Sequence, residues 1–273
     1  MSTPDIPVPT SPEEALRLRI MTSTIPLYTR LGEEVNQASG VLFRLADRLF
    51  IVTCAHFLHR NQPLFIVRAG EAMEPRSLDG AMVTVGERNN VAVVDLGLIE
   101  LPPEMADWLL PVHRFIDLTE IDATPSNRQG TYLVAGDPVA MTDADTEHRV
   151  LTTKPLAYVT GPYRGTPQPG TEYNPDVHIA LIYRTDCFGP EGQPLTCVTP
   201  PGMSGCGIWR LTEGEAVKHC NPEDARLVAI QHRYSATGNY VFGSWIGLAM
   251  RMVWDRYEGL RPAMTLVFPS RRR

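Results

Sequence analysis

The chain has 273 residues, of which 43% are hydrophobic and 21% charged, and its formal net charge is −6 at pH 7. This length suits one large or two-lobed globular body, and the composition excludes wholesale disorder. The acidic balance excludes bulk nucleic-acid binding, and no stretch reaches the ~20 apolar residues that would span a membrane as a helix.

The 24 prolines and 21 glycines, set against no long helical pattern, favour a turn-rich, mostly β chain. Cysteines stand at Cys54, Cys187, Cys197, Cys206 and Cys220. The number is odd and no pair has a C-x-x-C spacing, so a zinc ribbon is excluded and a reduced protein is the simpler expectation. Met1 to Pro26 has no basic segment followed by an apolar run. No signal peptide is therefore expected, and the expected compartment is the cytoplasm. No metal or cofactor is expected.

In chain order, Met1 to Thr10 reads as a loose arm. Ser11-Pro12-Glu13-Glu14 reads as a helix start, with Ser11 as N-cap and Glu14 completing a capping box. The helix must end before Pro26. From Ser39 the pattern becomes short strands: 40–45, a tight turn, 49–53, then 64–67, 81–85, 91–94 and 96–101. Pro103 to Val112 reads as a helical turn, and 114–128 as a link between two halves. The second series of strands covers 130–136, 149–152, 156–160, 177–183, 207–209, 227–232 and 242–250, followed by a short helix over 251–257. Residues 161–170 form a Pro/Gly-rich loop. The tail Arg271-Arg272-Arg273 reads as a solvated charge run.

Three motifs carry chemistry. Pro200-Pro201-Gly202-Met203-Ser204-Gly205 is a tight turn that presents a hydroxyl between glycines. A serine hydroxyl is a weak nucleophile until a base takes its proton and donors hold the oxyanion that forms. Val52-Thr53-Cys54-Ala55-His56 is a strand ending in a histidine, a candidate base. Asp95 heads an apolar strand and is a candidate orienter, in preference to Asp79, Asp107 and Asp117. His59, His113, His148, His178 and His219 read as surface or core residues.

The order His, Asp, Ser, each at a strand end, resembles the trypsin-like (chymotrypsin-fold) serine peptidases, over roughly Ser39 to Met252. The histidine there follows T-A-A-H, and here Thr53-Cys54-Ala55-His56 stands in its place. The serine there sits in G-D-S-G, and here in Gly202-Met203-Ser204-Gly205. The resemblance implies an all-β fold of two six-stranded antiparallel β-barrels with the active site between them, and short N- and C-terminal helices. It implies an arm and helix over 1–38, barrels over 39–125 and 126–258, and a tail over 259–273.

It further implies that His56, Asp95 and Ser204 form a catalytic triad, with the amides of Gly202 and Ser204 as an oxyanion hole. Val198, Thr199 and His232, with Cys197, would line the substrate pocket. Met203 replaces the aspartate that pairs with a freed N-terminus in secreted zymogens, so that route of activation is not expected. Cys54 and Cys206 fit as small core residues, with a link between them as the alternative. The expected activity is hydrolysis of peptide bonds by a cytoplasmic enzyme of bacterial type. Its partner would be a protein or peptide substrate, one dedicated protein among the options, with no nucleic acid and no membrane. The alternative is a catalytically silent peptide-binding or sensor module of the same fold. An esterase is disfavoured because the serine comes last in the order.

Overall fold

A computed structural model describes residues 9–31, 34–59, 62–67, 75–85, 94–124, 129–145, 150–167, 173–188, 194–211 and 221–266. His148, His219, the Arg271–Arg273 tail and most of the expected strand at 91–94 lie outside the described residues. Among the described residues, no helix is long and apolar enough to cross a membrane.

The chain opens with helix α1 (Pro12–Met21), where the Ser11 side chain accepts the amide of Glu14 as an N-cap should. The Glu14 carboxylate does not return to Ser11. It takes the amide and hydroxyl of Thr10 instead, one residue earlier, so the expected box is only half closed.

The first sheet is antiparallel and uses β1 (Thr24–Leu31), β2 (Glu34–Leu45), β3 (Arg48–Thr53), β4 (Leu64–Ile66), β5 (Arg76–Ser77), β6 (Ala81–Val85) and β7 (Leu96–Glu100). Their order is β5-β4-β1-β2-β3-β7-β6, seven strands where six were expected. Strand β1 and the start of β2 fall in the stretch expected to be an arm, so the first lobe begins earlier than Ser39. Two short helices follow elements of this lobe: α2 (Ala55–Leu58) after β3, and α3 (Pro103–Leu109) after β7.

The second half contains β8 (Tyr132–Gly136), a ribbon of β9 (Thr142–Asp145) and β10 (Val150–Thr153), then β11 (Leu156–Thr160) and β12 (His178–Ile182). A second ribbon, β13 (Asp186–Phe188) and β14 (Pro194–Thr196), precedes β15 (Gly207–Arg210), β16 (Arg226–Ser235) and β17 (Tyr240–Trp245). The main sheet has six strands in the order β11-β8-β15-β16-β17-β12. The run 242–250 is not one strand, because helix α4 (Ile246–Arg256) starts directly after Trp245. The architecture is therefore the expected one: mostly β, with two curled antiparallel sheets and a few short helices.

Each lobe has its own core. Ile25, Leu42, Ile51, Phe57 and Ile99 fill the first, and Val134, Leu181, Ile208, Val228 and Trp245 the second. A third cluster is shared. Phe43, Phe50 and Val52 from the first sheet meet Leu133, Trp209 and Leu227 from the second, with Ile246 and Met250 of α4 closing over them. The shared apolar cluster fixes the lobes against each other, and Val52 and Leu96 of that cluster stand a few residues or less from His56 and Asp95 in the chain.

Candidate active site

Strand β3 ends at Thr53, and the chain turns through Cys54 into the single turn of α2, which carries His56. The histidine thus sits just beyond the strand end rather than on it. Strand β7 lies antiparallel to β3 with Thr53 opposite Gly97, so Asp95, just before β7, falls beside His56. Gly97 makes the approach possible: a Cβ there would lie 2.5 Å from a methyl of Leu58, in α2.

The His56–Asp95 pair is tightly formed. His56 Nδ1 lies 2.5 Å from Asp95 Oδ2, and the His56 amide donates to Asp95 Oδ1 at 2.9 Å. The aspartate side chain is 5% exposed and the histidine 35%. Burial disfavours the charged form of each; for His56 the hydrogen bond with Asp95 and the neighbouring Cys54 sulfur outweigh it, and for Asp95 the hydrogen bonds and attraction of His56 do so. The His56 pKa is raised and that of Asp95 lowered. His56 Nε2, the other ring nitrogen, lies 3.7 Å from Cys54 Sγ.

The serine turn hangs from two glycines in the left-handed region, Gly202 at φ +93° and Gly205 at φ +94°. Gly205 leaves no room for a side chain, since a Cβ would stand 2.0 Å from Ser39 O and 2.2 Å from Thr53 Oγ1. This places the turn directly against the strands leading to His56. The Met203 amide is used by Pro200 O and the Gly205 amide by Gln231 O. Among the described residues, the amides of Gly202 and Ser204 donate to no group. The expected oxyanion donors are thus the amides left over. Ser204 is half-buried, and its hydroxyl has no hydrogen-bond partner among the described residues.

Ser39, in β2, binds the two lobes at this point. Its amide donates to Ser204 O at 2.7 Å, and its carbonyl accepts the Thr53 hydroxyl at 2.7 Å. Its hydroxyl donates to Gly202 O and accepts the Asp137 amide, both at 3.0 Å. Ser39 is fully buried, so none of these groups has water as a substitute.

The remaining expected site residues divide. Val198 is half-buried and its carbonyl accepts the Tyr183 hydroxyl at 3.0 Å, while Thr199 is exposed. His232 is not a pocket wall. Its side chain is 4% exposed and turns inward toward Asp95 and Ser244. Asp79, Asp107 and Asp117 lie in other settings, Asp117 capping a short turn over 118–120. Cys54 and Cys206 are buried free thiols, as core residues would be. Cys197 is disulfide-bonded, in contrast to the fully reduced chain expected.

Sequence reading missed Asp137. It follows β8, lies behind Gly202, and is fully buried with Thr153 Oγ1 donating to Oδ1 at 3.2 Å. Burial pushes its pKa up to about 7, the Thr153 bond only partly opposing this. Nothing local marks Asp137 in the sequence, because Gly136-Asp137-Pro138 reads as an ordinary turn.

No family model and no curated protein matches this sequence. Solved structures of similar fold include proteases and an inactivated protease paralogue. An inactivated protease paralogue of the scabies mite superposes with a TM-score of 0.56 at 14% identity, over 89% of this chain and 96% of that one. The thermostable serine protease AL20 of an extremophilic microorganism gives 0.51 at 13% identity, covering 86% and 97%. The protease Anisep of Arthrobacter nicotinovorans gives 0.51 at 12% identity, covering 83% and 91%. At these identities the likeness shows the fold alone.

Two outcomes test this geometry. Ser39→Ala orphans Gly202 O and the Asp137 amide in a dry site, which costs about 2–4 kcal/mol of unfolding free energy. Urea denaturation measures it, and a loss below about 0.5 kcal/mol would contradict the bracing role. For Asp137, the folded state keeps a proton that the unfolded chain releases near its ordinary pKa of ~4. Stability therefore falls as pH rises from about 4 through about 7. Asp137→Asn keeps an acceptor for Thr153 and removes the charge, so melting curves across that window should flatten relative to the wild type.

Proposed function

We propose that this chain is a serine endopeptidase that hydrolyses peptide bonds through Ser204, His56 and Asp95. The observation that carries the reading is the short His56 Nδ1–Asp95 Oδ2 contact beside a glycine-held serine turn braced on Ser39. In this reading His56 Nε2 takes the Ser204 proton as the hydroxyl attacks a peptide carbonyl, and returns it to the leaving amine. Asp95 holds the proton on Nδ1 and stabilises the imidazolium that forms. The amides of Gly202 and Ser204 meet the oxyanion, where losing one donor typically costs ~100- to 1000-fold in rate. Water then releases the acyl group by the same steps in reverse. The substrate is a polypeptide, with Val198 and Thr199 nearest the side chain that enters the cleft.

One observation favours a second reading, a binding module of the same fold. Among the described residues, Ser204 Oγ has no bond to His56, whose Nε2 faces Cys54 Sγ. Catalytic hydrogen bonds are often open before substrate arrives, so the peptidase reading is preferred.

Labelling with a fluorophosphonate separates the two. The peptidase should be labelled on Ser204, and Ser204→Ala and His56→Ala should each abolish the adduct. Intact protein that stays unlabelled throughout the neutral and alkaline range would leave the binding module. Labelling needs neutral His56, whose pKa is raised. The acid limb of the rate should therefore have its midpoint above the ordinary histidine value of ~6.5. A midpoint at or below that value would contradict the tight pairing with Asp95.

A further inference from the structure

Asp95 faces a second histidine. His232, on β16, presents Nδ1 to Asp95 Oδ2 at 3.6 Å, on the same oxygen that His56 Nδ1 approaches at 2.5 Å. The other nitrogen of His232, Nε2, lies 3.2 Å from Ser244 Oγ. That hydroxyl oxygen also accepts the Asp95 amide at 3.4 Å. Among the described residues, His232 Nδ1 is buried and has no partner within hydrogen-bond distance. Around the ring stand His178, with centroids 5.3 Å apart, Phe242 edge-on at 5.0 Å, and the charge of Arg233. Among the described residues, Asp95 is the carboxylate that acts on His232.

The tautomer follows from the contacts. An unprotonated Nδ1 would set its lone pair against Asp95 Oδ2, so the proton belongs on Nδ1. Ser244 then donates its hydroxyl proton to Nε2, which leaves its oxygen free to accept the Asp95 amide. Burial keeps the ring neutral, pulling its pKa down to about 3 against the attraction of Asp95. His232 can therefore offer a hydrogen bond without placing a second cation beside His56.

We propose, on the peptidase reading above, that His232 is a positioning residue whose Nδ1–H donates to Asp95 Oδ2 and locks the carboxylate under His56. The present separation is longer than a hydrogen bond, and a movement of about half an ångström closes it. With that bond made, Asp95 is held by His56 through both oxygens and by His232 through Oδ2, so it cannot rotate away as the imidazolium forms.

The test uses the intact chain and two readouts. In histidine ¹⁵N spectra, His232 should appear as a neutral Nδ1–H imidazole across neutral pH. An Nε2–H tautomer or an imidazolium would overturn the proposal. In fluorophosphonate labelling, His232→Asn restores a donor near the Nδ1 position and should stay within ~3-fold of wild type. His232→Leu fills the space without a donor and should fall by ~10-fold or more. Equal rates for the two variants would overturn the proposal, since packing alone would then explain the site. If His232→Leu does not melt cooperatively, the wild-type tautomer decides. An unlabelled wild type would instead sink the peptidase reading, and the tautomer would still decide whether His232 holds Asp95.

Discussion

Ser39 is the residue on which the site depends. It is a fully buried side chain in the second strand, and its amide, carbonyl and hydroxyl all reach other segments. Through them it holds the serine turn, the Gly202 carbonyl, the strand that leads to His56, and the Asp137 amide. The lobes meet over a shared apolar cluster, but a greasy seam sets no register to a tenth of an ångström. Directed bonds in a dry place do, because each broken one leaves an orphaned group. Gly205 completes the brace, since only a residue without a side chain lets the turn come this close.

The electrostatics sort the buried carboxylates into different roles. Asp95 has His56 and His232 around it and is held below the ordinary carboxylate range despite its burial. Asp137 is at least as deeply buried, has a threonine for company, and is pushed up to about 7. The contrast comes from neighbours rather than depth. A carboxylate meant to orient a base must stay charged, and Asp95 has the surroundings for that. Asp137 is a load on the fold at alkaline pH, tolerated directly behind the turn that carries Ser204.

Much of this was legible in the sequence because it is local. Apolar runs of strand length, the glycines around Ser204, and His56 and Asp95 at strand ends all leave marks within a few residues. What was lost was set by partners far along the chain. Strand β1 contains Pro26, a residue that normally argues against a strand inside a sheet. Pro26 pairs with Ser39, whose amide and carbonyl are turned to Ser204 and Thr53, so the missing proline N–H leaves no gap in the ladder. The break at Trp245–Ile246 was missed because a continuous apolar run fits a buried strand and a half-buried helix equally well. His232 looked like a pocket wall. Only the strand pairing that sets β16 beside β17 shows it next to Ser244 and behind Asp95.

The central claim is that Ser204 and His56 act as one unit on a peptide bond. The direct test is turnover of a proteome-derived peptide library by the wild type, Ser204→Ala, His56→Ala and the double variant. The account predicts that each single change removes nearly all cleavage and that the double variant is no slower than either. Losses that multiply, or substantial cleavage surviving either single change, would contradict it.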